Sequence, residues 1–156
     1  MDGQLFEGLV LTAFLAVAAI VDYRTGFIFD RLTFPMAVCA TGFRLYDGVG
    51  ALSLMLGLLA GGAPLFAIRA LSSGGLGGGD VKLAAAGGLW LGWQGALLSL
   101  VLASWIGGLA ALFLLASGRR SRRDEVAFGP FLAFGIWIAF LFGERLLAYY
   151  WELCYG

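Results

Sequence analysis

Two acidic residues stand at the edges of apolar segments, where an ionisable side chain needs a reason to be present. Asp22 ends the run AAIVD, and Asp80 follows the glycine-rich run SSGGLGGG. Two carboxyls that lie within a few ångströms of each other cannot both ionise, so they hold one proton between them. The ionised carboxyl then deprotonates water while the protonated one polarises a carbonyl group. If these acids meet at one membrane surface, they favour hydrolysis of an amide bond by activated water.

Each acid also has an ordinary structural interpretation. Asp22 can be an interfacial residue that is hydrated or paired with Arg24. Asp80 can be an N-cap that accepts hydrogen bonds from the first amides of the next helix. That role does not explain five glycines within the six positions 74–79. Such density indicates a sharply bent backbone or close contact with another extended chain, and a bound peptide would be such a chain.

The composition offers little support for other chemistries. The chain contains no histidine, and no Ser or Cys stands beside an evident activating base. Cys39 and Cys154 are far apart and belong to no CxxC pair, which argues against a structural metal site. The formal net charge is zero, so no overall field attracts nucleic acid. We expect no metal, no other cofactor and no nucleic-acid partner.

The elements that must position the acids are membrane helices. Of the 156 residues, 61% are hydrophobic and 13% are charged, which is more apolar than a soluble domain of this length. We predict an all-α membrane protein of about six transmembrane helices in a single domain, residues 1–156. The apolar segments cover residues 5–21, 33–46, 51–71, 81–93, 95–117 and 130–151. The second and fourth are too short to cross ~30 Å of hydrocarbon untilted, so we expect neighbouring helices to shield them.

Basic residues predict the orientation in the membrane. When alternate loops are assigned to alternate sides, one side has only Arg44 and Arg145. The other side has Arg24, Arg31, Arg69, Lys82, Arg119, Arg120, Arg122 and Arg123. By the positive-inside rule this second side is cytoplasmic, so both termini face outward and the acids lie at the cytoplasmic surface.

Glycines inside the apolar segments predict close approach of helix backbones. They are Gly57, Gly61, Gly62, Gly87, Gly88, Gly107 and Gly108. The five tryptophans are interpreted as packing residues and interface anchors. The polar segment GRRSRRDE, residues 118–125, is interpreted as a solvated loop near anionic lipid.

Three segments resemble the signature regions of the type IV prepilin peptidases, which are bacterial aspartyl intramembrane proteases of the GxGD class. The first is VDYRTGFIFDRLTFP, residues 21–35, and the second is GGLGGGDVKLAAAGGLWLGW, residues 74–93. The third is AFGPFLAFG, residues 127–135, which is similar to the Phe-Gly-Pro region of the family. The segments occur in the family's order over nearly the whole chain, with Phe29 where the family commonly has proline.

The resemblance implies a GxGD-type aspartyl protease fold with Asp22 and Asp80 as the catalytic acids. It also implies that five further residues support the site or contact the substrate: Gly77, Gly78 and Gly79 of the GxGD motif, Lys82 of its continuation, and Asp30. From the residues alone, Lys82 can equally extend to the lipid interface. Asp30 can likewise serve as a helix cap.

The function implied by the resemblance is removal of the short basic leader of type IV prepilins or pseudopilins. Cleavage would occur at the cytoplasmic face of the bacterial inner membrane, by a membrane aspartyl endopeptidase that serves type IV pilus assembly or protein secretion. The substrate's hydrophobic helix can enter the bilayer beside the enzyme. The chain resembles the short, peptidase-only members, without the cysteine-containing region linked to N-methylation.

Two alternatives remain at this stage. A non-catalytic membrane assembly or transport subunit would hold Asp22 and Asp80 too far apart to share a proton. A protease similar to presenilin or signal peptide peptidase would carry a Pro-Ala-Leu motif near its last helices, and this chain has none. The particular pilin or secretion system and the oligomeric state stay open.

Overall fold

The computed structural model describes residues 2–72, 76–117 and 127–155. Within these ranges the chain is helical and contains no strand, which confirms the prediction of an all-α protein. Five helices follow one another: α1 (Asp2–Thr25), α2 (Asp30–Tyr46), α3 (Ala51–Leu71), α4 (Gly78–Ala116) and α5 (Gly129–Tyr155). The basic loop with Arg119, Arg120, Arg122 and Arg123 lies outside the described residues, as do Gly74 and Gly75.

The helix count differs from the predicted number of about six because α4 covers two of the apolar segments. With 39 residues, α4 would be about 58 Å long if straight, roughly twice the hydrocarbon thickness. Gly92 interrupts it with φ 72° and ψ 176°, a conformation that is open to glycine and strained for other residues. Segments 81–93 and 95–117 therefore correspond to two helical parts that meet at a single-residue break, Gly92, with no loop between them.

Within the described part of the chain, four helices are long and apolar enough to cross a membrane: Gly3–Thr25, Ala51–Leu71, Gly78–Phe113 and Gly129–Cys154. Their outward faces carry large exposed apolar side chains, among them Leu9, Phe66 and Trp105. Such a surface is suited to lipid, because large exposed apolar patches are unfavourable in water. The chain is thus a multi-pass membrane protein.

The short helix α2 is the element predicted for residues 33–46. It has 17 residues and is not one of the four candidate spans. It packs against α4, where the buried indole of Trp90 donates a hydrogen bond from Nε1 to the carbonyl of Met36 at 3.2 Å. Phe29, just before α2, has an extended backbone with φ −80° and ψ 144°, which lies close to the conformation of proline.

Glycines bring α3 and α4 into direct backbone contact. A Cβ added to Gly61 would overlap the carbonyl of Ala84, and one added to Gly57 would overlap the carbonyl of Gly88. The predicted close approach is confirmed at these positions. Gly108 is different, since a Cβ there would meet nothing within 4 Å among the described residues. The tight pair α3 and α4 fixes the end of α3 relative to the start of α4.

Candidate active site

A cavity of about 230 Å³ contains both predicted acids. It lies where the ends of α1 and α3 meet the start of α4. Its lining residues are Asp22, Gly26, Phe27, Ile28, Arg69, Leu76, Gly77, Gly78, Gly79 and Asp80. The fold thus brings two carboxyls that are distant in the sequence to one enclosed space.

Asp22 lies in the last turn of α1 and is only 4% exposed. Its Oδ2 accepts a hydrogen bond of 3.0 Å from the backbone N–H of Gly129, the first residue of α5. The first N–H groups of a helix have no partner within the helix, and the positive end of the helix dipole favours a carboxylate. The start of α5 therefore compensates for the unfavourable location of Asp22 at the end of α1. Among the described residues, Asp22 forms no ion pair with Arg24, so that alternative is wrong.

Asp80 is the third residue of α4 and is 7% exposed, so it is not the N-cap that one alternative proposed. Oδ2 of its carboxylate lies against the backbone of Gly77, where an ideal Cβ would be 3.1 Å away. Oδ1 is buried and has no hydrogen-bond partner among the described residues. A buried oxygen of this kind costs about 1–3 kcal/mol and is typical of a functional position.

The two acids line the same cavity, although their helices are not in direct backbone contact. Among the described residues, no Cα atom of α1 lies within 8 Å of a Cα atom of α4. The cavity of about 230 Å³ has room for water molecules or a peptide carbonyl beside the acids. A non-catalytic subunit with widely separated acids is not favoured by this geometry.

The three glycines before Asp80 each have a distinct neighbour. A Cβ on Gly77 would lie 3.1 Å from Oδ2 of Asp80. A Cβ on Gly78 would lie 2.5 Å from Nη1 of Arg69, and one on Gly79 would lie 2.7 Å from the carbonyl oxygen of Ile28. The backbone of this segment therefore contacts both α3 and the residues that follow α1. Side chains at Gly78 or Gly79 would push these neighbours away from the acids.

Asp30 and Lys82 lie outside the cavity that contains Asp22 and Asp80. They form an ion pair, with Nζ of Lys82 at 2.6 and 2.7 Å from the two carboxylate oxygens. Both side chains are exposed, Asp30 by 70% and Lys82 by 53%. The pair borders a second, largely apolar cavity of about 290 Å³ between α2, α3 and α4. It links the start of α2 to the start of α4.

We predict that reversing one charge of this pair lowers stability by less than about 1 kcal/mol, because an exposed ion pair contributes little. The test is thermal unfolding of Asp30→Lys, Lys82→Asp and the double variant in detergent micelles. The double variant should regain most of the loss, and added salt should reduce all the differences. A single reversal that costs more than about 2 kcal/mol would contradict this assignment, since it would indicate a far stronger interaction than surface pairs provide.

The sequence analysis missed the roles of Arg69 and Gly129 at the cavity. Arg69 was interpreted only as a determinant of topology, and no local pattern indicates that a residue of α3 returns to the GxGD segment. Gly129 was noted only within the Phe-Gly-Pro resemblance. A Gly-Pro pair after a polar segment is a typical helix start, and free N–H groups at a helix start were the available signal for an acid partner.

The helices and the paired acids define a multi-pass helical membrane protein with an acid-lined internal site. Residues 9–112 match the model of the type IV leader peptidase family. The chain belongs to this family, which confirms the resemblance in the sequence. No significant match was found among solved structures.

Curated relatives carry the name prepilin leader peptidase/N-methyltransferase. The relative from Aeromonas hydrophila is 33% identical over 148 residues, which cover 91% of this chain and 51% of the relative. The one from Bacillus subtilis (strain 168) is 29% identical over 154 residues, 98% of this chain and 62% of the relative. The one from Burkholderia pseudomallei (strain K96243) is 39% identical over 150 residues, 91% of this chain and 48% of the relative. The chain spans about half the length of the curated relatives it matches.

Proposed function

We propose that this chain is an aspartic endopeptidase that removes the short basic leader of type IV prepilins or pseudopilins. The observation that carries the proposal is the cavity into which both Asp22 and Asp80 are brought. Family membership and the name of the relatives supply the substrate class. The same residues would form a single peptidase domain.

Asp22 and Asp80 would act as a pair that holds one proton, because two buried carboxylates in one cavity repel each other. The ionised acid takes a proton from water, and the water oxygen attacks the scissile carbonyl carbon. The protonated acid donates to the carbonyl oxygen. The C–N bond then breaks as the leaving nitrogen takes up the proton that the first acid took from water, while a hydroxyl of the tetrahedral intermediate returns a proton to the second acid. In this scheme the N–H of Gly129 holds Asp22 in place.

We further propose that the cavity faces the cytoplasm in the bacterial inner membrane, with both termini outside. Arg24 and Arg69 lie at the helix ends that surround the cavity, and basic residues concentrate on the cytoplasmic side of membrane proteins. A prepilin would place its hydrophobic helix in the bilayer beside the outward apolar faces. Its basic leader would stay near anionic lipid headgroups, close to the cavity.

Mass spectrometry of a prepilin after incubation with the purified protein in liposomes tests the proposal directly. We expect a product that lacks the leader, cut at one bond after the glycine that ends the leader. The same spectrum reports whether the new N-terminus carries a methyl group. A prepilin that stays intact with equimolar enzyme would refute the proposed function.

A further inference from the structure

Arg69 contributes a positive side chain to the cavity that contains the acids. It lies in the last turn of α3 and is half-buried. Its Nη1 donates a hydrogen bond of 3.3 Å to the carbonyl of Leu76. A cation at this end of a helix is favoured by the helix dipole and by the positive-inside rule. Neither effect requires the hydrogen bond to Leu76, so the contact needs a further explanation.

The guanidinium also lies against the backbone of Gly78. A Cβ on Gly78 would lie 2.5 Å from Nη1 and 3.2 Å from Cζ of Arg69, so this approach depends on the missing side chain. Arg69 thus contacts Leu76 and Gly78, the residues on either side of Gly77. Gly77 is the residue whose backbone lies against the Asp80 carboxylate, since an ideal Cβ there would be 3.1 Å from Oδ2.

The helix that carries Arg69, α3, is itself packed closely against α4. The backbone of α3 is packed directly on α4, since a Cβ on Gly61 would overlap the carbonyl of Ala84. The guanidinium therefore joins the start of α4 to a helix that is packed closely against α4. Among the described residues Arg69 forms no ion pair, so no carboxylate competes with Leu76 for this side chain.

We infer that Arg69 is a positioning residue whose guanidinium clamps residues 76–78 and thereby aims the Asp80 carboxylate into the cavity. The inference rests on the proposed peptidase function for its kinetic consequence. A planar guanidinium offers several N–H donors in a fixed arrangement, whereas the lysine ammonium is a compact charge on a flexible stem. Arg69→Lys therefore keeps the charge that sets topology and removes the clamp.

The kinetic test compares the full-length wild type, Arg69→Lys and Arg69→Ala in liposomes with a prepilin substrate. We expect kcat to fall about 10-fold for Arg69→Lys and about 30-fold for Arg69→Ala, below the roughly 10²-fold loss that a 1 Å misplacement can cause. KM should change less than about twofold, since the clamp acts on a catalytic group and not on substrate binding. The matched control is Arg44→Ala, a basic residue in the last turn of α2 that lies outside the cavity; its kcat should equal that of the wild type.

Millimolar guanidinium should restore part of the kcat of Arg69→Ala, and methylammonium should not. A variant that is merely destabilised would gain no activity, because millimolar guanidinium is too dilute to change stability, so recovery separates the two roles. Wild-type kcat in Arg69→Lys, or no recovery of Arg69→Ala, would overturn the inference.

Amide hydrogen exchange tests whether Arg69 holds residues 76–78, and it does not depend on a cleavage assay. The amides of residues 77–80 should exchange faster in Arg69→Ala and Arg69→Lys than in the wild type, while those of α5 should not change. If the wild type cleaves no prepilin but exchange accelerates, the proposed function fails and the clamp stands. Unchanged exchange in both variants overturns the clamp even if the wild type is an active peptidase.

Discussion

Asp22→Asn and Asp80→Asn should each lower the rate of prepilin cleavage on the order of 10³-fold, while the protein stays folded. Asparagine has nearly the shape of aspartate but can neither take a proton from water nor hold the shared proton. General acid–base catalysis by a positioned side chain contributes roughly 10²–10⁴-fold. The measurement is kcat with a prepilin substrate in liposomes, with the two single variants and the double variant compared.

The three variants should be nearly equal in residual rate, because the acids act as one unit and their losses do not add. Thermal unfolding supplies the control for folding. Both acids are buried, and Oδ1 of Asp80 has no partner among the described residues, so a neutral amide at position 80 should leave the unfolding temperature unchanged or raise it. Full cleavage by either single variant would remove that acid from the mechanism.

Gly129→Ala should reduce cleavage on the order of 10²-fold, because a new methyl group would displace the carboxylate of Asp22. An ideal Cβ on Gly129 would overlap Oδ2 of Asp22 and lie 2.7 Å from its Cγ and 2.9 Å from Cδ1 of Ile28. A shift of about 1 Å in a catalytic group is enough for a loss of this size. The expected readout is a lower kcat in the liposome assay with a prepilin substrate.

Gly108→Ala is the matched control for this prediction. It makes the same change in a helix, but at a position where the new Cβ meets nothing within 4 Å among the described residues. Its cleavage rate should equal that of the wild type. Overpacking at Gly129 should also cost roughly 1–3 kcal/mol of stability. A Gly129→Ala protein that is equally destabilised but cleaves at the wild-type rate would show that Gly129 does not position Asp22.

The helical class and both acids were predictable because their signals are local. Long apolar segments require helices, since backbone polar groups in hydrocarbon must pair within the segment. Acids at the edges of such segments are rare and costly, so Asp22 and Asp80 stand out from composition alone. Their convergence on one cavity was predicted from their expected common membrane face, and from the resemblance.

The contacts that hold the acids were not predictable, because they join residues that are far apart in the chain. Nothing near Asp22 indicates that its partner is the N–H of Gly129, and nothing near Asp80 indicates Arg69. The helix count differs from about six for a related reason. Gly92 interrupts α4 through its backbone angles, and only Gln94 interrupts the apolar pattern there, so one bent helix and two short ones have nearly the same apolar pattern. The motif predicted Asp30 and Lys82 beside the site, but the two residues form an exposed ion pair outside the cavity.

The hydrogen bond from Gly129 to Asp22 also bears on how much of the chain the site requires. The segment that matches the family, residues 9–112, includes Asp22, Asp80 and Arg69. The amide that donates a hydrogen bond to Asp22 belongs to Gly129 in α5, which lies outside that segment. A fragment that stopped after α4 would therefore contain every charged group of the site but lack its last anchor. In this fold the final helix would complete the proposed site through one main-chain group, the N–H of Gly129.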